Sequence, residues 1–385
     1  MSTGAHNTVW ILGAGFSRSL GGPLLGDLFG TNPADVALEF PNDRYPGLAE
    51  TYERVRGVFE WGKLAERKWA DAEQFLACAD EASADLPNAG PSSLKLKRLC
   101  HLAQKHGDSV GEWYSTGNVF PAPSAVDDFL RDIRKVTRRA LAVECTRFLI
   151  AADTKSEAWL PYWKWAKSLQ ATNAGEKNTV ITFNYDRVLE KLEHSFEVPL
   201  PSEVGKPANP MVGVRVLKLH GSVDWEVRDT GCGRVQGDPL QEPATELAMA
   251  APGRSKASMT NRLFRPLWDA AKSALVDADA IVFLGYSFPP TDAQARQELL
   301  EAIAGGKTSP LRRVDIVLGD DLNAPRARRM KSLILASKGG RHISSDDPPQ
   351  DLYSDYPQLQ IVQPSLWAED YLDVHYGLFR DLTWQ

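Results

Sequence analysis

An α/β fold, a doubly wound parallel sheet with a large inserted helical lobe, is predicted by three observations on the sequence. Five short apolar or β-branched runs, 8–12, 179–183, 214–219, 280–284 and 314–318, each end where small or polar residues take over, which is the pattern of strands buried on both faces. Helical periodicity fills the stretches between the later runs. About 165 residues separate the first run from the second, far too many for one crossover. The expected organisation is a Rossmann-like sheet domain over 1–40 and 176–385 and a helical lobe over 41–175.

In chain order, the first run meets Gly13-Ala14-Gly15, a tight turn. The lobe reads as helical from about Tyr45 to Leu169, interrupted at 85–93 by a loop rich in Pro, Asn, Gly and Ser. Its clearest helix begins near Ser124, with Asp127 three residues on as a capping-box pattern, and runs to about Ile150. The cluster Trp159, Tyr162, Trp163 and Trp165 reads as packing rather than as a ligand-stacking surface. Residues 199–210, with four prolines, and 241–260, without strand or helix pattern, read as mobile lids or partner loops. The segment 365–385 has helical spacing and is expected to dock on the body; no internal repeat or heptad array is present.

A chain of 385 residues exceeds the roughly 250 to 300 at which one core stops growing. With 43 % apolar and 24 % charged residues, disorder throughout is excluded. The net charge of −6 argues against a surface built to hold phosphate backbones, so direct nucleic-acid binding is not expected. One stretch, Arg131, Arg134, Lys135, Arg138 and Arg139, runs against that trend at helical spacing. It reads as a solvated helix face, with a partner or nucleic-acid contact as the alternative. Cys78, Cys100, Cys145 and Cys232 are scattered, so no zinc site or C-x-x-C motif is expected. Neither a secretion signal nor a run of about 18 apolar residues is seen, which points to the cytoplasm and to no membrane association.

Four motifs stand at the ends of the apolar runs, where ligands of open α/β sheets bind. In Gly13-Ala14-Gly15-Phe16-Ser17 the glycines permit positive φ and close approach, and the amides opening the next helix can point at a pyrophosphate. The third glycine of G-x-G-x-x-G and the Lys-Ser/Thr of a Walker loop are both missing, and a plain strand-to-helix turn uses similar residues. Thr182-Phe183-Asn184-Tyr185-Asp186 ends the second run; Asn184 or Asp186 alternatively caps the following helix. Leu219-His220-Gly221-Ser222 places a histidine at the same edge, where a structural histidine is the alternative. In Leu284-Gly285-Tyr286-Ser287, with Asp292 shortly beyond, Gly285 admits a ligand to the backbone and Ser287 can bond a phosphate or ribose.

In order and spelling these motifs resemble the sirtuin family, in its bacterial sirtuin-like branch rather than the protein deacylases. The resemblance covers about 8–16 and 180–323. Sirtuins carry Gly-Ala-Gly-Ile-Ser, similar to Gly13 to Ser17, and Thr-Gln-Asn-Ile-Asp, similar to Thr182 to Asp186 with Phe183 for glutamine. Their His-Gly pair resembles His220-Gly221, and their Gly-Thr-Ser segment resembles Gly285-Tyr286-Ser287. The Phe-Arg pair of the deacylases is absent after Gly21-Gly22-Pro23, and the cysteines cannot form their four-cysteine zinc module.

The resemblance implies that NAD is bound as the substrate, with no metal. Gly13, Ala14, Gly15, Phe16, Ser17, Thr182, Gly221, Gly285, Ser287 and Asp292 would line the dinucleotide, and Asn184, His220 and Asp186 would act at the nicotinamide ribose. Nicotinamide leaves a pyridinium as a neutral molecule, so the demand is to stabilise a cationic ribose and to place water. His220 suits proton exchange, Asn184 orients ribose and water, and Asp186 holds the loop or offers negative charge. The implied activity is NAD glycohydrolysis to nicotinamide and ADP-ribose or a cyclised form. The family branch further implies an oligomeric effector of antiphage defence, triggered by a partner ATPase, a nucleic-acid-guided protein or a phage component. An NAD or ADP-ribose sensor without turnover, a deacylase or ADP-ribosyltransferase, and a structural subunit with a vestigial pocket are the alternatives.

Overall fold

The computed structural model describes residues 7–24, 28–29, 41–43, 47–64, 69, 71–85, 123–170, 177–192, 195–206, 214–236, 246–250, 260–289, 292–305, 311–321, 324–338 and 359–381. Two compact units divide the chain, one of 1–22, 147–222 and 263–385, the other of 23–146 and 223–262.

The first unit is an α/β fold of the Rossmann type. Its sheet is built from β1 (Asn7–Leu12), β2 (Lys177–Thr182), β3 (Phe196–Glu197), β4 (Val214–Lys218), β8 (Ala280–Leu284), β9 (Arg313–Val317) and β10 (Gln360–Val362). The order is β10-β9-β8-β1-β2-β4-β3, and every recorded pairing is parallel. From β1 the chain proceeds to β2 and β4 on one side, then returns to the other side of β1 for β8, β9 and β10. The order therefore reverses between β1 and β8, where such sheets hold ligands beyond their carboxyl ends. Val9 to Leu12 and Ala280 to Leu284 are all 4 % exposed or less. Strands covered on both faces need that continuous apolar run, each large side chain contributing about 1.5–3 kcal/mol.

Helices cover the sheet by apolar stripes. In Arg265–Val276 the buried residues Leu267, Trp268, Ala271 and Leu275 recur at helical spacing. In Ser156–Gln170 the stripe is Trp159, Tyr162, Trp165, Ala166 and Leu169. Trp165 packs edge-on against Trp10 and Phe16, with centroids 5.5 Å away in each case. The packing reading of this aromatic cluster holds, with Trp163 left at 36 % exposure. That packing also explains why 147–170 go with the sheet, although sequence periodicity assigned them to the helical lobe.

The C-terminal helix Ala368–Asp381 docks as expected, burying Ala368, Tyr371 and Leu372. The Tyr371 hydroxyl donates to Asp315 Oδ2 at 2.5 Å, and Arg313 grips both oxygens of the same carboxylate. Burial beside that carboxylate pushes the Tyr371 phenol well above its ordinary pKa.

The second unit is not purely helical, as the sequence reading had it. Beside helices Leu48–Leu64, Ala72–Asp85 and the first part of Pro123–Asp153 it holds a three-stranded sheet of β6 (Gly231–Arg234), β5 (Gly221–Arg228) and β7 (Leu247–Met249). Most of this sheet comes from 223–262, which expectation placed in the sheet domain. β7 lies in the stretch read as lacking strand pattern, because three residues are too few to show alternation; 241–245 and 251–259 lie outside the described residues. An aromatic nucleus of Phe29, Tyr52, Phe59, Trp69 and Phe75 fills the helical part, with centroids 4.9 to 6.0 Å apart.

The solvated-face reading of the basic stretch is corrected at Arg139, while Ile133, Val136 and Ala140 are buried as expected of the other face. Arg139 is 4 % exposed and Arg138 pairs with Glu246 at 3.0 Å, while Lys135 is exposed. The side chain of Arg131 lies outside the described residues. So do residues 86–93 of the expected loop, 207–210 of the proline-rich stretch, Cys100 and the last four residues. Within 199–206 the chain forms a 3-10 turn at Pro201–Glu203 whose Glu203 carboxylate accepts the Leu200 N–H at 2.8 Å. Cys78, Cys145 and Cys232 form no disulfide. Among the described residues no helix is long and apolar enough to cross a membrane.

Candidate functional site

Strand register brings the motifs to one edge. Leu12, Thr182, Lys218 and Leu284 are aligned across the sheet, through Leu12↔Thr182, Thr182↔Lys218 and Leu12↔Leu284. Ala14, Asn184, His220 and Tyr286 each lie two residues further along their chains. Backbone bonds extend the ladder one step past these strands, from Phe183 N–H to Leu12 O, from Leu219 N–H to Thr182 O and from Gly13 N–H to Leu284 O, at 3.0 to 3.1 Å. Asn184 and His220 thus emerge at equal heights from adjacent strands, whose spacing is about 4.8 Å.

The glycine loop is arranged differently from the sequence expectation. Gly13 has extended backbone, and Gly15 lies in the short helix Ala14–Ser17 (α1), so neither uses positive φ. A Cβ on Gly15 would come within 2.7 Å of Gly285 Cα, and one on Gly285, at φ +69°, within 2.5 Å of Gly15 C. The Gly15 N–H donates to Gly285 O at 3.2 Å, and the Phe16 N–H to Gly13 O at 2.8 Å. The close approach read as room for a pyrophosphate is made by the loops after β1 and β8 to each other, at the order reversal.

Ser17 is likewise turned inward. It is 1 % exposed, receives the Asn184 Nδ2–H at 3.5 Å and hydrogen-bonds the Asp186 carboxyl. Asn184 Nδ2 also donates to Gly13 O at 3.0 Å, which ties the second motif to the first. Thr182 Oγ1 accepts the Asn184 N–H at 3.1 Å, so its hydroxyl shapes the turn.

Asp186 is buried, and its Oδ1 accepts the N–H of Val188, the first residue of the helix Val188–Lys191. Asp186 stands one residue before the N-cap, Arg187, which has no side-chain cap, so in place of the helix cap weighed from sequence its carboxylate closes an Asx turn that holds the loop. Burial pushes its carboxyl above the ordinary range, while Lys218, the Val188 N–H and the Ser17 hydroxyl pull it down in that order.

His220 is 3 % exposed and enclosed by rings. Phe183 meets it edge-on at 4.8 Å, Tyr185 stacks at 6.1 Å and Trp268 lies at 6.4 Å. Tyr286 stacks on Phe183 at 4.1 Å and 7°, and its hydroxyl donates to Asp292 at 3.3 Å. Trp268 Nε1–H donates to Leu219 O at 3.0 Å and so holds the turn that presents His220. Gly221, next to it, turns at φ +81°.

Of the residues expected around a dinucleotide, Ala14, Gly15, Gly285 and Ser287 are partly exposed; Gly13, Phe16, Ser17, Thr182, Gly221 and Asp292 are buried behind them. The structure brings all of them to the carboxyl edge, the first group as surface and the second as its support. Sequence reasoning passed over Lys218, Tyr185 and Trp268. Lys218 carried a legible signal, a charge at the buried end of a strand, whereas Trp268 sits in an ordinary amphipathic helix 48 residues from the histidine.

A family model described as a SIR2-like domain matches residues 178–343. The match takes in the Asn184, His220 and Gly285 motifs, supports a place among sirtuin-like proteins and points to NAD-related chemistry. A search of curated proteins finds no match.

Proposed function

We propose that the chain is an NAD glycohydrolase that cleaves the nicotinamide–ribose bond at the carboxyl edge of the sheet. The observation that carries this reading is the shared register of Asn184 and His220, two residues past the adjacent strands β2 and β4 at the carboxyl edge. The dinucleotide lies over Ala14, Gly15, Gly285 and Ser287, with its nicotinamide ribose at Asn184 and His220.

The bond sets the demands on these side chains. Nicotinamide departs neutral, so the site has a cationic ribose to stabilise and a water to place. The Asn184 Nδ2 donates to protein, to Gly13 O and Ser17 Oγ, so the amide offers the ribose its Oδ1 acceptor. His220, in its aromatic surround, exchanges a proton with a ribose hydroxyl or the water. Asp186 acts through the loop it holds. In this reading the chain is a regulated, self-associating effector of antiphage defence, switched on by a partner ATPase, a nucleic-acid-guided protein or a phage component.

Purified chain incubated with NAD, with and without an acyl-lysine peptide, tests the reaction. Nicotinamide release without peptide is expected, with ADP-ribose or its cyclised form as the other product. Release that requires peptide would replace the reading with a deacylase or transferase, and NAD binding without turnover under every condition would favour a sensor.

A further inference from the structure

Lys218 closes β4 two residues before His220, and its side chain is 1 % exposed. A buried ammonium persists only where its charge is matched and its three N–H donors are used. Here all three are used, on Asp186 O at 2.5 Å, Glu190 Oε1 at 3.0 Å and Ser222 Oγ at 2.8 Å. The Ser222 hydroxyl passes the link on to Tyr185 O at 3.4 Å. Two of these contacts reach the loop that carries Asn184, and one reaches the turn that carries His220. The rest of the strand core is apolar, with Val214, Val216 and Leu217 all buried. A buried ion pair adds little net stability over well-packed apolar side chains, so stability alone does not account for a lysine here.

We propose that Lys218 is a positioning residue, whose ammonium staples the Asn184–Asp186 loop to the His220–Ser222 turn and sets the geometry of the two groups at the ribose. The inference rests on the reading of this edge as the site of NAD cleavage. Lys218 touches no reacting atom; it acts through Asp186 O and the Ser222 hydroxyl. Charge is matched by Glu190, so the lysine adds no uncompensated positive charge next to a developing ribose cation.

The test separates geometry from stability. Lys218→Met alone strands the Glu190 carboxylate and should lower Tm. Lys218→Met combined with Glu190→Gln removes the stranded charge and should return Tm close to wild type. In that double variant kcat for nicotinamide release is expected to stay down about 10²-fold, the scale of a displaced reacting group, with KM little changed. Ser222→Ala, which removes one arm without stranding a charge, is expected to lower kcat about tenfold in the same way.

The second readout is the His220 imidazole, assigned by NMR and titrated in wild type, in the double variant and in Ser222→Ala; displaced resonances are expected in both variants. Turnover that recovers with Tm in the double variant, or His220 resonances at their wild-type positions, would overturn the proposal. If the wild-type chain releases no nicotinamide under any condition, the glycohydrolase reading fails, and the imidazole resonances alone then judge the staple.

Discussion

Two pairs of loops cross the carboxyl edge of one sheet, and they are held by different physics. Those after β1 and β8 meet backbone to backbone through Gly13, Gly15 and Gly285, with the Gly15 N–H bonded to Gly285 O. Those after β2 and β4 are joined by a side chain, the Lys218 ammonium, which bonds Asp186 O on one side and Ser222 Oγ on the other. The glycine pair forms a rigid floor that admits no Cβ. The side-chain pair presents the groups able to exchange protons and orient a ribose. Rigidity and chemistry are thus divided between neighbouring pairs of strands, and each fails in its own way when altered.

The largest effect is expected on the chemical side. His220→Ala should lower turnover by about 10²- to 10⁴-fold, the range for loss of a positioned acid–base group. NAD binding should stay within about tenfold, or roughly 1.4 kcal/mol, because the floor is untouched. Calorimetric titration beside a rate assay checks this, and binding that vanished with activity would place the histidine in the floor instead.

On the glycine side, Gly285→Ala combines a left-handed backbone with a Cβ 2.5 Å from Gly15 C. It should lower stability by about 2–4 kcal/mol through strain and overpacking, read as a fall in the denaturant midpoint, and weaken NAD binding with it. A wild-type midpoint would mean that the two loops separate without penalty.

The smallest effect sharpens the comparison through pH. Burial raises the Asp186 carboxyl pKa, so the folded chain holds that proton more tightly than the unfolded chain does. The stability tied to it is full below about pH 3.9, the unfolded value, and is lost as pH rises through the folded value. Asp186→Asn has no such loss and should gain on wild type from pH 4 toward neutrality, followed as Tm across that range. Wild type gaining on the variant instead would mean that Lys218 holds the carboxylate charged.

Much of this was legible in the sequence, and what was missed has physical causes. The five central strands announced themselves because burial on both faces demands unbroken apolar runs such as Trp10-Ile11-Leu12 and Val282-Phe283-Leu284. The edge strands Phe196–Glu197 and Gln360–Val362 did not, since two or three half-covered residues carry no period. The helix Ser156–Gln170 was assigned to the wrong unit because an apolar stripe reveals a buried face and not the partner that buries it. At the site, polar residues after strands were visible as candidates. Whether Ser17 faced a phosphate or the protein depended on the turn of α1, which spacing does not encode. The glycines were read for close approach, which the two loops make to each other, and for positive φ, which Gly285 uses and Gly13 and Gly15 do not.

In the proposed reaction Asn184 and His220 share one nicotinamide ribose. This sharing is tested most directly by nicotinamide release from NAD across a series of protein concentrations, with wild type and Asn184→Ala compared and NAD binding measured on the same samples. Release is expected to rise more steeply than in proportion to protein and to be lost in the variant while binding persists. Undiminished release from Asn184→Ala, or no NAD binding by wild type, would contradict it.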